Sequence, residues 1–417
     1  VGKENGFLES TFESLFFKNI RHLKYGKLQI ITPDQRIFYI GDEDAEIEAT
    51  IQILHTDFYK KVAFYGEIGF GEAYTDKLWD TPDLLAVLYW FVRNSKDIPD
   101  FSSNTLKKFF FNSFSIMNKI FHLSRKNSLN GSKKNISEHY DLSNELYKLM
   151  LDKNMAYSSG IYQNDSQTLE QAQINKFAAI CRKLALKPGM KVLEIGSGWG
   201  GFSIYCAKHY QCKMTGVTIS QEQYDYSREQ VAKEGLEHLV EIQLCDYRKI
   251  QGSYDRIVSI EMVEALGIEY YDAYFSQVQN LMKDNGIAVI QCITFPEDRF
   301  SVYRKNVDWI QKYIFPGSLL ISQLELMKSL NRTGKLNLYN LESIGYSYAK
   351  TLGEWRERFF QNLEQVKQLG FDENFIRKWN FYLCYCEVGF ASRYINTVQL
   401  TLSKAENTEV PDHEYHF

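Results

Sequence analysis

The sequence predicts an α/β fold for the C-terminal two thirds of the chain. From residue 136 onward, apolar strand-like segments alternate with helical segments, and they lie at residues 190–195, 213–218, 240–245, 254–260 and 286–293. This alternation is typical of a parallel sheet with right-handed crossover connections. The first of these strands breaks into glycines, and ligands of open α/β sheets bind beyond the carboxyl ends of the strands.

The alternation of strand and helix segments stops after Thr294. Residues 296–335 predict helical and irregular structure, which we interpret as an insert over the strand ends. Further segments complete the prediction: a strand at 336–344, helices at 352–369 and 373–394, and a last strand at 397–403. The prediction is a seven-stranded sheet with a helical cap.

Residues 1–123 predict a separate, small α+β domain. Period-two alternation indicates half-buried strands at 27–33, 36–40 and 46–53, and helices are expected at 58–65 and 83–94. Thr81 and Pro82 are the expected N-cap and first residue of the second helix. The glycine-rich stretch 66–73 lacks a preceding strand, so we interpret it as a packed turn rather than a phosphate loop.

A polar, basic segment at residues 124–136 predicts a linker between this domain and a second domain at 137–405, with a tail at 406–417. An alternative function for the linker is contact with anionic lipid headgroups.

Composition excludes several functional classes. The 417 residues are 44% hydrophobic and 24% charged with a net charge of −4, so no overall charge attracts nucleic acid. Seven scattered cysteines are typical of reduced thiols in a cytoplasmic protein. No run approaches the ~20 apolar residues of a membrane span, and no cluster has metal-ligand spacing.

The glycine-rich turn at residues 194–202 (Glu-Ile-Gly-Ser-Gly-Trp-Gly-Gly-Phe) predicts a cofactor loop. Gly196, Gly198 and Gly201 also fit the dinucleotide pattern G-x-G-x-x-G. An NAD-binding protein, however, places an acid at the end of the second strand. That strand ends here in Thr-Ile-Ser at 218–220, which argues against NAD.

The nearby acids suit S-adenosylmethionine instead. Glu194 lies at the end of the first strand, where it can meet a cationic amino-acid group, and Asp246 ends the third. S-adenosylmethionine offers an amine, a ribose and an adenine, and has no pyrophosphate. The alternative of a plain strand-turn-helix leaves both acids unexplained.

With five further blocks, this loop resembles the cyclopropane-fatty-acyl-phospholipid synthase family, which includes the mycolic acid cyclopropane synthases. The blocks are residues 139–147, 155–159, 194–202, 216–223, 259–264 and 313–317. The similarity extends from Ser137 to about Ser403, and the N-terminal domain resembles, less closely, the lipid-binding-like domain of full-length bacterial members. The resemblance implies a Rossmann-like class I methyltransferase sheet with a helical cap insert, plus the small α+β domain.

The resemblance also implies a reaction: transfer of a methylene from S-adenosylmethionine to the cis double bond of an unsaturated acyl chain in a membrane phospholipid. Aromatic side chains of the insert would stabilise the carbocation, and a base would then remove a proton from the transferred methyl group to close the ring. A cytoplasmic enzyme, peripherally associated with the inner face of the membrane, is implied, with a homodimer as a further expectation.

The resemblance implies that the base is a bound bicarbonate, as in the family. It places the contacts of this anion at Glu264, Ile293, Tyr348, Ser159 and Gln291. The family has Cys at the position of Ser159 and His at that of Gln291. These departures remove the option of a positive charge and weaken or alter the anion site. Direct action of Glu264 and a methyl- or methylene-branched product are therefore the alternatives to bicarbonate and a ring.

The resemblance assigns the cofactor contacts to residues near the strand ends, in the order methionine end, carboxypropyl group, ribose and adenine. This set is Tyr157, Ser158, Glu194, Gly196, Gly198, Trp199, Gly200, Thr218, Ile219, Gln223, Asp246, Tyr247 and Ile260.

Two rival functions are a methyltransferase for a small amine or phenol, which would have a short polar acceptor pocket, and a non-catalytic lipid carrier, which would not bind the cofactor.

Overall fold

A computed structural model describes residues 2–95 and 143–411, with side chains described from residue 11 onward. The predicted basic linker at 124–136 lies outside the described residues. The chain divides into two compact units, each discontinuous in sequence. The first combines residues 1–124, 305–314 and 367–392, and the second combines 125–304, 315–366 and 393–417.

Eleven strands are described in these ranges: β1 (Lys27–Ile31), β2 (Ile37–Gly41), β3 (Ile47–Ile53), β4 (Trp79–Asp80), β5 (Lys191–Ile195), β6 (Lys213–Thr218), β7 (Val240–Leu244), β8 (Tyr254–Ile260), β9 (Met282–Thr294), β10 (Asn337–Ser343) and β11 (Asn396–Ser403).

The α-helices of the described residues are α1 (Gly2–Ile20), α2 (Asp57–Thr75), α3 (Leu84–Arg93), α4 (Asn144–Met150), α5 (Leu169–Lys183), α6 (Gly201–Tyr210), α7 (Gln221–Lys233), α8 (Tyr271–Leu281), α9 (Glu297–Tyr303), α10 (Trp309–Tyr313), α11 (Gln323–Thr333), α12 (Gly345–Gln361), α13 (Leu363–Gln368) and α14 (Glu373–Ala391). Short 3₁₀ helices cover Tyr247–Lys249, Val263–Ala265 and Ile268–Tyr270.

The first unit contains a four-stranded sheet in the order β2-β1-β3-β4, with β1 antiparallel to β2 and parallel to β3. The predicted turn at residues 66–73 is wrong, because α2 continues through it after a kink at Gly66, whose φ is 54°. A Cβ on Gly71 would lie 2.6 Å from the Trp309 ring. This glycine therefore serves close packing inside a helix.

The predicted start of α3 is also corrected. Asp83, not Thr81, is the N-cap: its carboxylate accepts the Ala86 N–H at 3.1 Å. The Thr81 hydroxyl accepts the Asp83 N–H at 3.1 Å, one step earlier in the turn.

The second unit is built on a seven-stranded sheet in the order β10-β11-β9-β8-β5-β6-β7. Strands β5 to β9 are all parallel to one another, which confirms the predicted parallel core. β11 is antiparallel to both β9 and β10, so the sheet ends in an antiparallel edge. This is the mixed α/β fold that the sequence predicts.

Alternation along the strands supplies hydrophobic side chains to both faces of this sheet. Leu193 and Ile257 belong to one buried cluster, whereas their neighbours Val192 and Val258 belong to the other. Strands covered on both faces read as continuous apolar runs, which is why they were visible in the sequence. The carboxyl ends of β5, β6 and β8 meet at one edge of the sheet, and the site lies there.

Among residues 2–95 and 143–411, no helix is long and apolar enough to cross a membrane.

Candidate active site

The cofactor loop follows β5 and turns on three glycines with positive φ. Gly196 has φ 81°, Gly198 has φ 52°, and Gly200, the N-cap of α6, has φ 86°. L-residues rarely adopt this conformation, so glycine is required. A Cβ built on Gly198 would meet no atom within 4 Å. The loop therefore borders open space at Gly198, where a ligand can approach the backbone.

The loop is fixed to the next strand by its backbone. The N–H groups of Gly196 and Ser197 both donate to the Val217 carbonyl, at 3.0 and 2.9 Å. The Ser197 hydroxyl is buried without a hydrogen-bond partner among the described residues. A buried polar atom without a partner is uncommon in a protein, and here it lies on the loop that the sequence predicts to bind a ligand.

Tyr147 of α4 packs against two of the residues predicted to bind the cofactor. Its ring centroid lies 5.1 Å from that of Tyr157 and 4.9 Å from that of Trp199. The Trp199 Nε1–H donates to Asn144 Oδ1 at 2.7 Å, and Tyr157 also packs 5.2 Å from Trp355. Tyr147, Tyr157, Trp199 and Trp355 thus form an aromatic cluster at the glycine loop.

Glu194 is buried beneath this loop, where its carboxylate accepts the Ser203 hydroxyl at 2.5 Å. Burial raises its pKa to about 8, against the opposing effects of Ser203 and the Lys176 ammonium. The carboxyl is thereby fixed at the first turn of α6. Sequence reasoning did not identify Ser203 as its partner, although a residue nine positions later on the following helix is a natural candidate.

The predicted ribose contacts also bond to each other. Thr218 donates its hydroxyl to Gln223 Oε1 at 2.8 Å, so the amide oxygen expected to accept from a ribose hydroxyl is already engaged within the protein. Ser220 caps α7 by accepting the Gln223 N–H. Ile219 follows β6 and Ile260 ends β8, and both are half-buried.

Asp246 has a cationic partner that sequence reasoning missed. Its carboxylate accepts Arg248 Nε at 2.8 Å and Arg248 Nη2 at 2.6 Å. Burial would raise the pKa of Asp246, but these hydrogen bonds and the Arg248 charge lower it below its ordinary value. The guanidinium lies 5.6 Å from the rings of both Tyr247 and Tyr270. The Tyr247 hydroxyl is buried without a partner among the described residues.

The second group of predicted residues surrounds a carboxylate of the protein itself. Glu261 Oε1 accepts the Ser159 N–H at 2.9 Å and Gln291 Nε2 at 2.7 Å. Its other oxygen accepts the Tyr348 hydroxyl at 2.6 Å. Three of the five residues that the sequence analysis assigned to an anion site therefore converge on Glu261, which that analysis did not single out.

The backbone of Glu261 is unusual. It follows β8 directly and has φ 51°, a conformation uncommon for a residue with a side chain. Its N–H donates to the Gln291 carbonyl at 2.8 Å, which holds the residue in place. Such strain persists where the surroundings enforce it, and it is concentrated at functional sites. The available signal in the sequence was an acid directly after an apolar strand.

Glu264 and Ile293 complete the predicted set. Glu264 Oε1 accepts the Ile293 N–H, and Glu264 Oε2 is buried without a partner among the described residues. Burial, followed by the charge of Glu261, raises the pKa of Glu264 to about 8. Glu264 is therefore mainly protonated at neutral pH.

Burial also raises the pKa of Glu261, but more groups oppose the rise. Tyr348, Ser159 and Gln291 donate hydrogen bonds to its carboxylate, and the Lys176 charge acts in the same direction. Two close carboxyls cannot both ionise at low cost. The larger number of donors favours the charged form more strongly at Glu261 than at Glu264.

Helix α5 supports the loop that carries Ser159. Lys176 Nζ donates to the Ser158 hydroxyl at 2.6 Å, and Gln173 Nε2 donates to the Ser158 carbonyl at 2.9 Å. On the other side, the Gly160 N–H donates to Thr351 Oγ1 at 3.1 Å. Lys176 is fully buried, and burial lowers its pKa to about 8. Sequence reasoning missed this lysine.

The residues present fit one expected group and not the other. The open space at Gly198 and the unpartnered hydroxyls of Ser197 and Tyr247 fit S-adenosylmethionine. The donors expected to bind bicarbonate are already engaged by the Glu261 carboxylate. A bound bicarbonate does not fit this site. Among residues 2–95 and 143–411, no group of His, Cys, Asp and Glu side chains could hold a metal ion.

Comparisons with known proteins show the family of this chain. A family model described as mycolic acid cyclopropane synthetase matches residues 127–400. The tuberculostearic acid methyltransferase of Mycobacterium tuberculosis is 36% identical over 351 residues, which cover 82% of this chain and 80% of that protein. The cyclopropane-fatty-acyl-phospholipid synthase of Escherichia coli K12 is 35% identical over 388 residues, covering 90% and 96%.

Solved structures show the same fold. The mycolic acid cyclopropane synthase CmaA1, complexed with SAH and CTAB, superimposes with a TM-score of 0.60 at 30% identity, covering 65% of this chain and 98% of that one. The cyclopropane synthase MmaA2 from Mycobacterium tuberculosis superimposes with a TM-score of 0.61 at 26% identity and the same coverage.

Proposed function

Because the chain belongs to the mycolic acid cyclopropane synthetase family and is an S-adenosylmethionine-dependent methyltransferase, we propose that it acts on the cis double bond of an unsaturated acyl chain in a membrane phospholipid. The product is a cyclopropane ring, and the base is Glu261. The observation that carries this proposal is the Glu261 carboxylate, held by the donors of Ser159, Gln291 and Tyr348.

S-adenosylmethionine, when bound, supplies an electrophilic methyl group on a sulfonium. The π electrons of the double bond form the new carbon–carbon bond as the carbon–sulfur bond breaks, which leaves a cation on the acyl chain. Glu261 then takes a proton from the transferred methyl carbon, and the electrons of that C–H bond close the ring. No other base has to enter the site.

The residues around Glu261 suit this role. Hydrogen bonds to both of its oxygens fix the orientation of the Glu261 carboxylate, and a base held in place saves the entropy of bringing one in from solution. Glu264, with a pKa of about 8, stays mainly protonated beside it at neutral pH and adds little repulsion. Both glutamates are half-buried.

A methylene-branched product is the second candidate, and the hydrogen bonds to Glu261 favour it. Three donors stabilise the carboxylate and so reduce its basicity. Slower proton removal gives time for a hydride to move between neighbouring carbons of the acyl chain. Loss of a methyl proton from the rearranged cation then leaves an exocyclic double bond in place of a ring.

Mass spectrometry of lipids tests the proposal. The protein is incubated with vesicles of unsaturated phospholipid and S-adenosylmethionine that carries a trideuterated methyl group. Two retained deuterium atoms with loss of the double bond support the ring. Two deuterium atoms with an alkene still present support the methylene branch.

Three deuterium atoms would mean that the lost proton came from the acyl chain, which would contradict a base aimed at the methyl carbon. Unlabelled lipid, with cofactor binding demonstrated in the same sample, would contradict an acyl-chain acceptor and favour a small-molecule methyltransferase.

A further inference from the structure

A row of polar side chains crosses the antiparallel edge of the large sheet. Glu342 of β10 is directly opposite Gln399 of β11, and Gln399 is directly opposite Gln291 of β9. Opposite residues on neighbouring strands project from the same face of a sheet. Gln399 and Gln291 are fully buried, while the Glu342 side chain is 53% exposed. The row therefore runs from the protein surface to the active site.

Hydrogen bonds connect the row without a break. Lys183, the last residue of α5, donates to Glu342 and to Gln399 Oε1. Gln399 Nε2 donates to Gln291 Oε1 at 2.9 Å, and Gln291 Nε2 donates to Glu261 Oε1 at 2.7 Å.

The two ends of this chain fix the orientation of both amides. A lysine ammonium has only donors, so Gln399 must turn its oxygen toward Lys183. Its Nε2 then faces Gln291 and requires the Gln291 oxygen. A carboxylate only accepts, so Gln291 must in turn present its Nε2 to Glu261. Reversing either amide would place two donors or two acceptors together in a buried site, which is costly.

We propose that Lys183 and Gln399 are positioning residues, which hold the Gln291 amide in the orientation that donates to Glu261 and thereby keep the Glu261 carboxylate ionised and aimed. The effect on the reaction rests on the proposed role of Glu261 as the base. The effect on Glu261 itself does not.

Several other groups face Glu261 and must be accounted for. Tyr348 of α12 donates to it, Lys176 of α5 supplies a positive charge, and Glu264 and the Cys292 thiol on β9 are neighbouring titratable groups. None of them bonds to Lys183 or Gln399 in the hydrogen bonds that form the row. Changes at those two residues therefore test the amide chain separately.

The test is a ¹³C NMR titration of protein labelled at the glutamate carboxyl carbons, with the Glu261 signal assigned by its loss in Glu261→Gln. In Lys183→Met and in Gln399→Met, the Gln291 amide is free to rotate, and we expect the midpoint of Glu261 to rise by about one pH unit. Lys183→Arg restores a donor and should return the midpoint toward that of the wild type. Lys213→Met, the same change at an exposed lysine that begins β6, is the matched control and should leave it unchanged.

Thermal melting first establishes which variants are folded, and Gln399→Met carries the test if Lys183→Met does not fold. The proposal would be overturned if the titration midpoint of Glu261 were the same in the folded variants and in the wild type. A row of side chains with only a structural role would change the stability of the protein and not this midpoint. Full lipid methylation by Glu261→Gln would instead overturn the catalytic role of Glu261 and leave the titration result standing.

Discussion

Glu261 and Glu264 show how two buried carboxyls of one chain take different roles. They stand three positions apart, but only Glu261 receives donors on both oxygens, whereas Glu264 receives the Ile293 N–H on one. A hydrogen bond donated to a carboxylate favours its charged form. The difference in hydrogen-bond partners, rather than in residue type, favours the charged form more at Glu261 than at Glu264.

Removing the Glu261 side chain should create an anion site. Glu261→Gly relieves the positive φ and frees the donors of Ser159, Gln291 and Tyr348. In bicarbonate-free buffer we expect methyl incorporation into lipid to fall roughly 10²–10⁴-fold, the usual contribution of a general base. Added bicarbonate should restore part of it.

Glu261→Gln is the matched control for this variant, because it fills the same space without a base and should not respond to bicarbonate. Wild-type activity in Glu261→Gln would contradict the assignment.

Glu264 should make stability depend on pH. Its pKa in the folded protein is about 8, above its ordinary value of 4.5, so the folded state binds this proton more tightly than the unfolded state. The resulting stabilisation is present below pH 4.5 and is lost as the pH rises through 8. Glu264→Gln has no proton to lose at this position, so its stability should not fall in this way. The difference in melting temperature between this variant and the wild type should therefore increase by roughly a few degrees from pH 5 to pH 8.

Glu269→Gln changes an exposed side chain nearby and serves as the comparison for that titration. Parallel melting curves for all three proteins over this pH range would show that Glu264 has no raised pKa.

Gly198 should be replaceable in the fold but not in the cofactor site. Gly198→Ala adds a methyl group at φ 52° that meets no protein atom within 4 Å. Gly235, at φ 65° with equally open surroundings at the end of α7, is the matched control. Both alanine variants should lose about 1 kcal/mol of stability. Only Gly198→Ala should weaken the binding of S-adenosylhomocysteine in calorimetry, and equal affinities would contradict the placement of the cofactor.

At the scale of elements, one face of α5 organises the site from below. Gln173, Lys176 and Lys183 are three and seven residues apart, so they project from the same side of the helix. Gln173 and Lys176 hold the Ser158–Ser159 loop, and Lys183 begins the amide chain to Gln291. A capping box formed by Thr168 and Gln171 fixes where this helix starts. The helix thus supports the surroundings of Glu261 through the Ser158 loop and the Gln399–Gln291 amides.

Lys176→Met should loosen the loop that carries Ser158. It removes the 2.6 Å hydrogen bond and the buried charge while keeping the apolar stem. We expect the dissociation constant for S-adenosylhomocysteine to rise about tenfold, as is typical for the loss of one charged hydrogen bond. Arg182→Met, an exposed change on the same helix, should leave it unaltered. Identical affinities of the two variants for S-adenosylhomocysteine would show that Lys176 does not support the cofactor site.

At the scale of the whole molecule, the sequence revealed the strands more fully than the site. Strands β5 to β9 were recognisable because short segments rich in apolar residues alternate with helical segments along the chain. The Glu261 site was not, because Ser159 lies 102 positions away and Tyr348 lies 87 positions away. Spacing along a chain carries no information on contacts at that range. The boundaries of the two units could not be predicted from local patterns for the same reason. The first unit includes residues 305–314 and 367–392, which are distant in sequence from its other residues.

The resemblance to a known family supplied the positions of the site but not their use. It marked Ser159, Gln291 and Tyr348 as contacts of an anion, and the structure brings all three to one point. It gave no reason to expect that the anion would be a side chain of the protein.

If the Glu261 carboxylate is the base of this enzyme, the reaction needs no bicarbonate. The most direct measurement is the initial rate of lipid methylation by the wild-type protein in carbon-dioxide-free buffer, followed as bicarbonate is added. We expect full activity without bicarbonate and no change in rate as bicarbonate is added. A rate that is negligible without bicarbonate and rises in a saturable manner with it would contradict the claim.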